Sequence, residues 1–291
     1  MSKLPAPLPV TTLRHESALG SWSISTCQPL LPLAPLVATI WLGQGSVSYQ
    51  RDRILPSGQS QLLINLGPPQ YMIAPGPPEQ RIPFRDVWYS GLRQDPIDTE
   101  APHGSVLLGV AFRAHGAFPW MGGELSEVKE QVLPLAELLG SGVLALRERL
   151  LNTPDTGTRF LLVQQWILAR MKDSAAVHPA VQWAMQRLNA AGGDTGIDAL
   201  AREAGYTRKH LLQLFREQVG LSPKALARVL RIRSALALLN GAERVPWAEL
   251  AAHCGYYDQA HLSNDFRRFA GVTPAAYLRL QQPDSQSVVL R

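Results

Sequence analysis

Ala201, Gly205 and Tyr206 recur about fifty residues later as Ala251, Gly255 and Tyr256. With one residue inserted at Tyr257 the correspondence continues. His210, Leu211, Phe215, Arg216 and Gly220 map onto His261, Leu262, Phe266, Arg267 and Gly271, and Ser222-Pro223 maps onto Thr273-Pro274. A self-similar period of this length marks a duplicated supersecondary unit. In the first copy Ile197, Leu200 and Ala201 lie at helical spacing, Gly205-Tyr206 interrupts, and Leu211, Leu212, Leu214 and Phe215 resume an apolar face. This is the pattern of a helix-turn-helix, in which a glycine supplies the positive φ of a sharp reversal. Thr207 and Asp258 are placed to cap the second helix of each copy, and Ser222-Pro223 and Thr273-Pro274 each read as a cap followed by proline at the first helical position.

Charge follows the repeat. Residues 1–176 hold 14 Lys+Arg against 14 Asp+Glu, whereas residues 177–291 hold 14 against 9, so the whole net excess of +5 lies in the C-terminal part. Twelve of those fourteen cations are arginines, which suit bidentate contacts to phosphate or guanine. An excess of this size also fits arginines that solvate outer helix faces; the duplicated motif is what favours nucleic acid.

The segment from about Val177 to Leu280 resembles the two-motif DNA-binding domain of the AraC/XylS transcriptional regulators. The run Gly255-Tyr256-Tyr257-Asp258-Gln259-Ala260-His261-Leu262, through Phe266-Arg267-Arg268-Phe269 to Gly271-Val272-Thr273-Pro274, carries most of that likeness. The resemblance implies seven helices, expected at Pro179–Ala190, Ile197–Ala204, Arg208–Val219, Pro223–Leu239, Trp247–Cys254, Gln259–Phe269 and Pro274–Leu280. The fourth would be a rod about 25 Å long, comparable with the roughly 34 Å repeat of B-DNA once its flanking turns are added. One monomer is then expected to reach two successive major grooves of double-stranded DNA.

Subtracting core positions leaves the candidate DNA contacts. In the first recognition helix Leu211, Leu214 and Phe215 face inward, leaving Arg208, Lys209, Leu212, Gln213 and Arg216. The resemblance places Lys209, Leu212 and Gln213 over the bases and Arg216 nearer the backbone. In the second helix Leu262, Phe266 and Phe269 are core. Gln259, Ala260, Ser263 and Asn264 are candidate base readers, with Arg267 and Arg268 as phosphate contacts. His210 and His261 occupy equivalent positions beside the caps and are expected to pack locally rather than read bases.

The N-terminal half contains short runs rich in Val, Ile, Trp and Tyr, separated by Gly/Pro punctuation such as Leu42-Gly43-Gln44-Gly45, Leu55-Pro56-Ser57-Gly58 and Leu66-Gly67-Pro68-Pro69. These predict strands at Leu36–Trp41, Val47–Tyr49, Gln61–Asn65, Tyr71–Ala74, Val87–Gly91 and Ser105–Phe112. Helical periodicity follows at Leu133–Leu139, Gly142–Leu151 and Phe160–Met171. The expected fold class is α+β: a β-rich barrel or sandwich over 1–125, a helical linker or dimerisation segment over 126–176, an all-α domain with two helix-turn-helix motifs over 177–282, and a disordered tail over 283–291. Arg53-Ile54-Leu55-Pro56-Ser57-Gly58, Leu63-Ile64-Asn65-Leu66-Gly67 and Leu108-Gly109-Val110-Ala111-Phe112-Arg113 resemble the regulatory amino-terminal domains of a poorly characterised subgroup of the same family. That resemblance implies a cupin-like barrel and dimerisation through the helices after it.

Trp22, Trp41, Trp88 and Trp120 fall in the first 120 residues. Core packing accounts for most such tryptophans, but aromatic walls also line ligand pockets. Trp41 and Trp88, with Arg113 as a cation for an anionic effector, form the candidate effector site. No catalytic residue and no metal or other cofactor is expected. His103 and His115 stand twelve apart without a His-x-His pair, and no nucleophile elbow, phosphate-binding glycine loop or His-Glu-x-x-His helix occurs. A related architecture joins such a DNA-binding domain to an alkyl-transfer repair domain that needs several cysteines; here there are only Cys27 and Cys254.

At 291 residues the chain supports two domains. The start has no long apolar run, and no segment has the length to span a bilayer, so a cytoplasmic protein is expected, with a reducing compartment fitting the two cysteines. The leading expectation is a sequence-specific transcriptional regulator, activator or repressor, whose partners are DNA, a small-molecule effector, RNA polymerase and a second copy in a homodimer. The alternative is a small-molecule-binding or catalytic β-barrel protein with a helical interaction module.

Overall fold

The structure, a computed structural model, describes residues 8–171, 176–239, 245–280 and 287–290. The N-terminal half comprises β1 (Thr11–Ser17), β2 (Gly20–Cys27), β3 (Val37–Val47), β4 (Arg51–Ile54), β5 (Ser60–Asn65), β6 (Gln70–Ala74), β7 (Gln80–Phe84), β8 (Val87–Ser90), β9 (Ile97–Glu100) and β10 (Ser105–Phe112). It closes with α1 (Phe118–Met121), β11 (Val132–Pro134), α2 (Leu135–Leu139), α3 (Gly142–Leu151) and α4 (Thr156–Arg170). The C-terminal half comprises α5 (Pro179–Ala190), α6 (Ile197–Glu203), α7 (Arg208–Gln218), α8 (Pro223–Leu239), α9 (Trp247–His253), α10 (Gln259–Ala270), α11 (Pro274–Leu280) and β12 (Ser287–Leu290). The fold is α+β, a β-rich domain followed by a helical one.

Two sheets face each other in the β domain. One has the order β1-β2-β3-β10-β5-β8-β11, the other β12-β4-β9-β6-β7. Strand alternation divides the seven-stranded sheet into two surfaces. Ile40, Leu62, Ile64, Leu108, Val110 and Phe112 are fully buried and share one core with Val143 and Leu146 of α3 and Phe160, Val163 and Ile167 of α4. The opposite surface carries Trp41, Leu63, Trp88 and Leu107 toward the second sheet. The domain is therefore three layers: helices, a large sheet and a small sheet. Trp120 belongs to the helix-side core, with its ring 5.2 Å from Phe112 and 6.0 Å from Trp166.

The helices expected as a linker or dimerisation segment have most of their apolar surface in this core. Leu138, Leu144 and Leu151 remain about 37% exposed. Asp155 caps α4 by accepting from the Thr158 amide at 2.7 Å.

Four expectations need correction. Of the expected strand Val47–Tyr49 only Val47 is in a strand, as the last residue of β3, and the first two residues of the expected helix Leu133–Leu139 belong to β11, which pairs with β8. Leu42-Gly43-Gln44-Gly45, read as punctuation, lies inside β3, which runs unbroken to Val47. Glycine is needed at Gly45, where φ is +147° and a Cβ would meet Trp22 on β2. The tail expected to be disordered contains β12, which pairs antiparallel with β4 from Ser287↔Ile54 to Leu290↔Arg51 and buries Val288 completely. Two consecutive β-branched residues, Val288-Val289, favour the strand; residues 283–286 and 291 lie outside the described residues.

Each helix-turn-helix has its own core, and α8 contributes to both. Leu200, Leu211, Phe215, Leu226 and Leu230 sit in the first, and Val229, Leu236, Leu250, Leu262 and Phe266 in the second. The β domain enters both cores, with Leu36, Leu92 and Ala114 in the first and Leu55 and Val288 in the second. Gly58 packs on α8, where a Cβ would stand 3.2 Å from Leu230.

Candidate nucleic-acid interface

The two motifs are built alike down to single hydrogen bonds. Gly205 and Gly255 adopt φ of +76° and +70°. In each turn the following tyrosine amide donates to an alanine carbonyl at 2.9 Å, Tyr206 to Ala201 and Tyr256 to Ala251. Thr207 Oγ1 accepts from the His210 amide at 3.2 Å, and Asp258 Oδ1 from the His261 amide at 2.7 Å. Ser222 and Thr273 cap α8 and α11 through hydroxyls that accept from amides three residues on, both at 3.2 Å. These caps satisfy amides that the first helical turn leaves unpaired.

The expected core positions are buried: Leu211, Phe215, Leu262 and Phe266 are fully enclosed, and Leu214 and Phe269 nearly so. The opposite faces carry the candidate contacts. Arg208, Lys209, Gln213 and Arg216 on α7 are exposed and Leu212 is half-buried; on α10 Gln259, Ala260, Asn264, Arg267 and Arg268 are exposed and Ser263 is half-buried. Some are already tethered. Arg208 pairs with Asp198 of α6 at 3.3 Å, and Arg267 Nη1 donates to Asn264 Oδ1 at 3.3 Å, linking a candidate phosphate contact to a candidate base reader. Arg216 lies 3.5 Å from Glu124 of the β domain. Among the described residues, Lys209, Gln213, Gln259 and Arg268 make no side-chain hydrogen bond or ion pair.

His210 stacks on Tyr206 with centroids 5.0 Å apart, and His261 meets Tyr256 edge-on at 5.1 Å. Both are local packing residues, though Tyr206 is 38% exposed and Tyr256 only 4%. Arg231 of α8 lies over the Tyr256 ring, and burial raises that phenol above its ordinary value.

Sequence reasoning missed the pair that fixes α10 to the rod. Asp265, 6% exposed, accepts from Arg228 Nη2 of α8 at 2.6 Å. In the aligned repeat Asp265 stands where α7 has Leu214, so a charge at a repeat's core position was the available signal. The first motif is held by apolar contact there and the second by a largely buried ion pair.

The three residues of the candidate effector site do not converge. Trp41 and Trp88 line a cavity of about 190 Å³ between the two sheets, with Ile54, Leu63, Phe84 and Leu107 as further apolar walls. Gln61 reaches it, and its Oε1 is buried without a partner. Arg113 lies beyond the end of β10, lining a separate cleft between the two domains. A residue one position past a strand follows the loop, and this loop turns toward the helical domain. Among the described residues there is no cluster of three or more His, Cys, Asp or Glu able to hold a metal ion, and no helix long and apolar enough to cross a membrane. Cys27 and Cys254 are buried free thiols, and burial pushes Cys27 up to about 11.

A family model described as a helix-turn-helix domain matches residues 200–280, and a model described as a domain of unknown function matches residues 25–134. The HTH-type transcriptional activator RhaR of Yersinia pseudotuberculosis serotype O:1b is 41% identical over 70 residues, 24% of this chain and 23% of that protein, so the match spans under a quarter of the relative's length. Among solved structures, the C-terminal domain of AraT, a response regulator from Geobacillus stearothermophilus, is 27% identical, with 35% of this chain and 86% of that chain covered at a TM-score of 0.33. ToxT from Vibrio cholerae O395 is 12% identical, with 82% and 98% covered at a TM-score of 0.48. With its paired turns, matched caps and outward polar faces, the region spanning residues 200–280 is a helix-turn-helix domain of the AraC type.

Proposed function

We propose that the protein is a sequence-specific DNA-binding transcriptional regulator that reads two successive major grooves with one monomer and answers to a small molecule held by its β domain. The observation that carries this is the pair of helices α7 and α10, each N-capped by a side chain that accepts from an amide three residues on, held on the single 17-residue rod α8 with their polar faces outward. A rod sets a fixed spacing between the two readers, which a flexible linker would not.

The roles divide by chemistry. Lys209, Leu212 and Gln213 on α7, and Gln259, Ala260, Ser263 and Asn264 on α10, read base edges. Arg208, Arg216, Arg267 and Arg268 meet phosphates. The two sets differ at nearly every equivalent position, so the preferred site is asymmetric. The effector site is the cavity lined by Trp41 and Trp88, which suits a small, largely apolar ligand with one donor for Gln61. Activation, which RhaR, a transcriptional activator by name, supports, contact with RNA polymerase and a cytoplasmic location complete the reading. A homodimer would add a second asymmetric half-site.

A gel-shift with DNA from upstream of the protein's own gene tests the proposal. Binding should depend on sequence and weaken steeply with salt, because each phosphate contact releases counterions. Folded protein that shows no sequence-dependent binding at low salt overturns it.

A further inference from the structure

Between the β domain and the helical domain lies a cleft of about 550 Å³. Its floor comes from both sides: Arg113 and His115 from the loop after β10, Gln182, Gln186 and Asn189 from α5, and Arg233 from α8. None of its twelve lining residues is Asp or Glu. Two guanidiniums thus share one cavity without a carboxylate.

The two cations are held but not neutralised. Arg233 donates to the Ser57 carbonyl at 3.3 Å and to Asn189 Oδ1 at 3.1 Å, both uncharged acceptors, and burial lowers its guanidinium from the ordinary value. Arg113 Nε donates to the Ala34 carbonyl at 3.4 Å, and its own amide to the Leu36 carbonyl at 2.8 Å, which steadies the stem and leaves the two terminal nitrogens free among the described residues. Arg233, partly desolvated and with only neutral partners, favours an anion more strongly than a cation in water does, and Arg113 faces the same cleft from its exposed side.

His115 adds a second requirement. It is 8% exposed and its Nδ1 is buried without a partner. A neutral imidazole carries one donor and one acceptor nitrogen, and a hydroxyl, which both donates and accepts, satisfies Nδ1 in either tautomer.

We propose that this cleft binds a small hydroxylated anion, a hydroxy acid or a hydrogen-phosphate group, held between Arg113 of the β domain and Arg233 of the connecting helix with its hydroxyl toward His115. The amides of Gln182 and Gln186 supply further neutral contacts. Occupancy ties the rod that carries both recognition helices to the β domain. This site is distinct from the cavity between the sheets and does not depend on the DNA reading.

Thermal unfolding of the full chain, without DNA, tests it with malate, inorganic phosphate, succinate and chloride at matched ionic strength. Malate or phosphate should raise the melting temperature saturably by about 3–6 °C at ligand well above its dissociation constant. Whichever of the two acts identifies the anion. Succinate, which lacks the hydroxyl, should act less. Arg113→Gln, at an exposed side chain, and Arg233→Gln should both lose the shift. No rise beyond chloride with either anion, an equal rise with succinate, or a rise that persists in both variants overturns the proposal.

Discussion

Arg216 on the first recognition helix lies 3.5 Å from Glu124, a residue of the β domain, with side chains 73% and 46% exposed. One of the candidate phosphate contacts is thus already engaged by the neighbouring domain. The backbone follows the same path, since a Cβ on Gly220 would meet the Leu125 carbonyl at 2.7 Å. An exposed pair of this kind contributes at most about 1 kcal/mol. Glu124→Gln should therefore tighten DNA binding by about two- to fivefold, equally for specific and random sequence, because phosphate contacts carry no base information. Equilibrium binding by anisotropy checks this, and unchanged affinity would remove Glu124 from any role at the interface.

Base readers and phosphate contacts should separate on substitution. Gln213→Ala and Asn264→Ala should each cost about 1–3 kcal/mol on the preferred site and relax sequence preference at one position. Arg267→Ala should weaken specific and random DNA alike and reduce the salt slope by about 1. Equal losses on both kinds of DNA for all three variants would refute the division of roles.

Arg228 and Asp265 predict an asymmetric pair of single mutants. Arg228→Met leaves a buried carboxylate unpaired and should destabilise the protein by about 2–3 kcal/mol, below the usual range for a broken buried pair because Arg228 is 30% exposed. Asp265→Leu copies the residue at the equivalent position of the first motif and releases Arg228 toward water, so it should be near neutral. Urea unfolding of both variants checks the order; if Asp265→Leu is the more damaging, the pair is not dominated by carboxylate desolvation.

What the sequence made legible follows from where its signals were local. Helix starts and stops in the C-terminal domain are written in caps and glycines within a few residues, and Pro179–Ala190, Pro223–Leu239 and Pro274–Leu280 end where those signals place them. The β domain was less readable because its determinants are cross-strand. β4, β7 and β9 are short and polar, with Arg51, Arg53, Arg81, Asp98 and Glu100 joined in ion pairs, so apolar alternation is missing. Gly109, inside the expected strand Ser105–Phe112, lies in one row with Trp41, Leu63 and Trp88 across four strands and leaves room for the Trp41 indole, a role that only the cross-strand register reveals. The same non-locality concealed Asp265 with Arg228 and the turn of Arg113 into the interdomain cleft.

That row supplies a prediction of its own. A Cβ at Gly109 would stand 2.2 Å from the Trp41 ring, so Gly109→Ala must displace the indole into the neighbouring cavity. A loss of about 1–3 kcal/mol is expected, together with a changed tryptophan emission spectrum. Wild-type stability and emission would show that the ring does not lie over this backbone.

His115 sets a pH dependence. Burial, reinforced by the nearby Arg113 cation, lowers it from 6.5 to about 4. Between those two values the unfolded chain binds a proton that the folded chain refuses, so folding stability rises with pH across the window. The contribution is complete above about pH 6.5 and is lost as pH falls toward 4, where the loss amounts to about 3 kcal/mol. His115→Asn, which cannot take up the proton, should flatten that part of the profile while other titrating groups keep theirs. Denaturant midpoints measured from about pH 7 to pH 5 for both proteins check it. Parallel decline of wild type and variant would mean that His115 accepts its proton in the folded state, which a neutral ring wedged beside Arg113 does not allow.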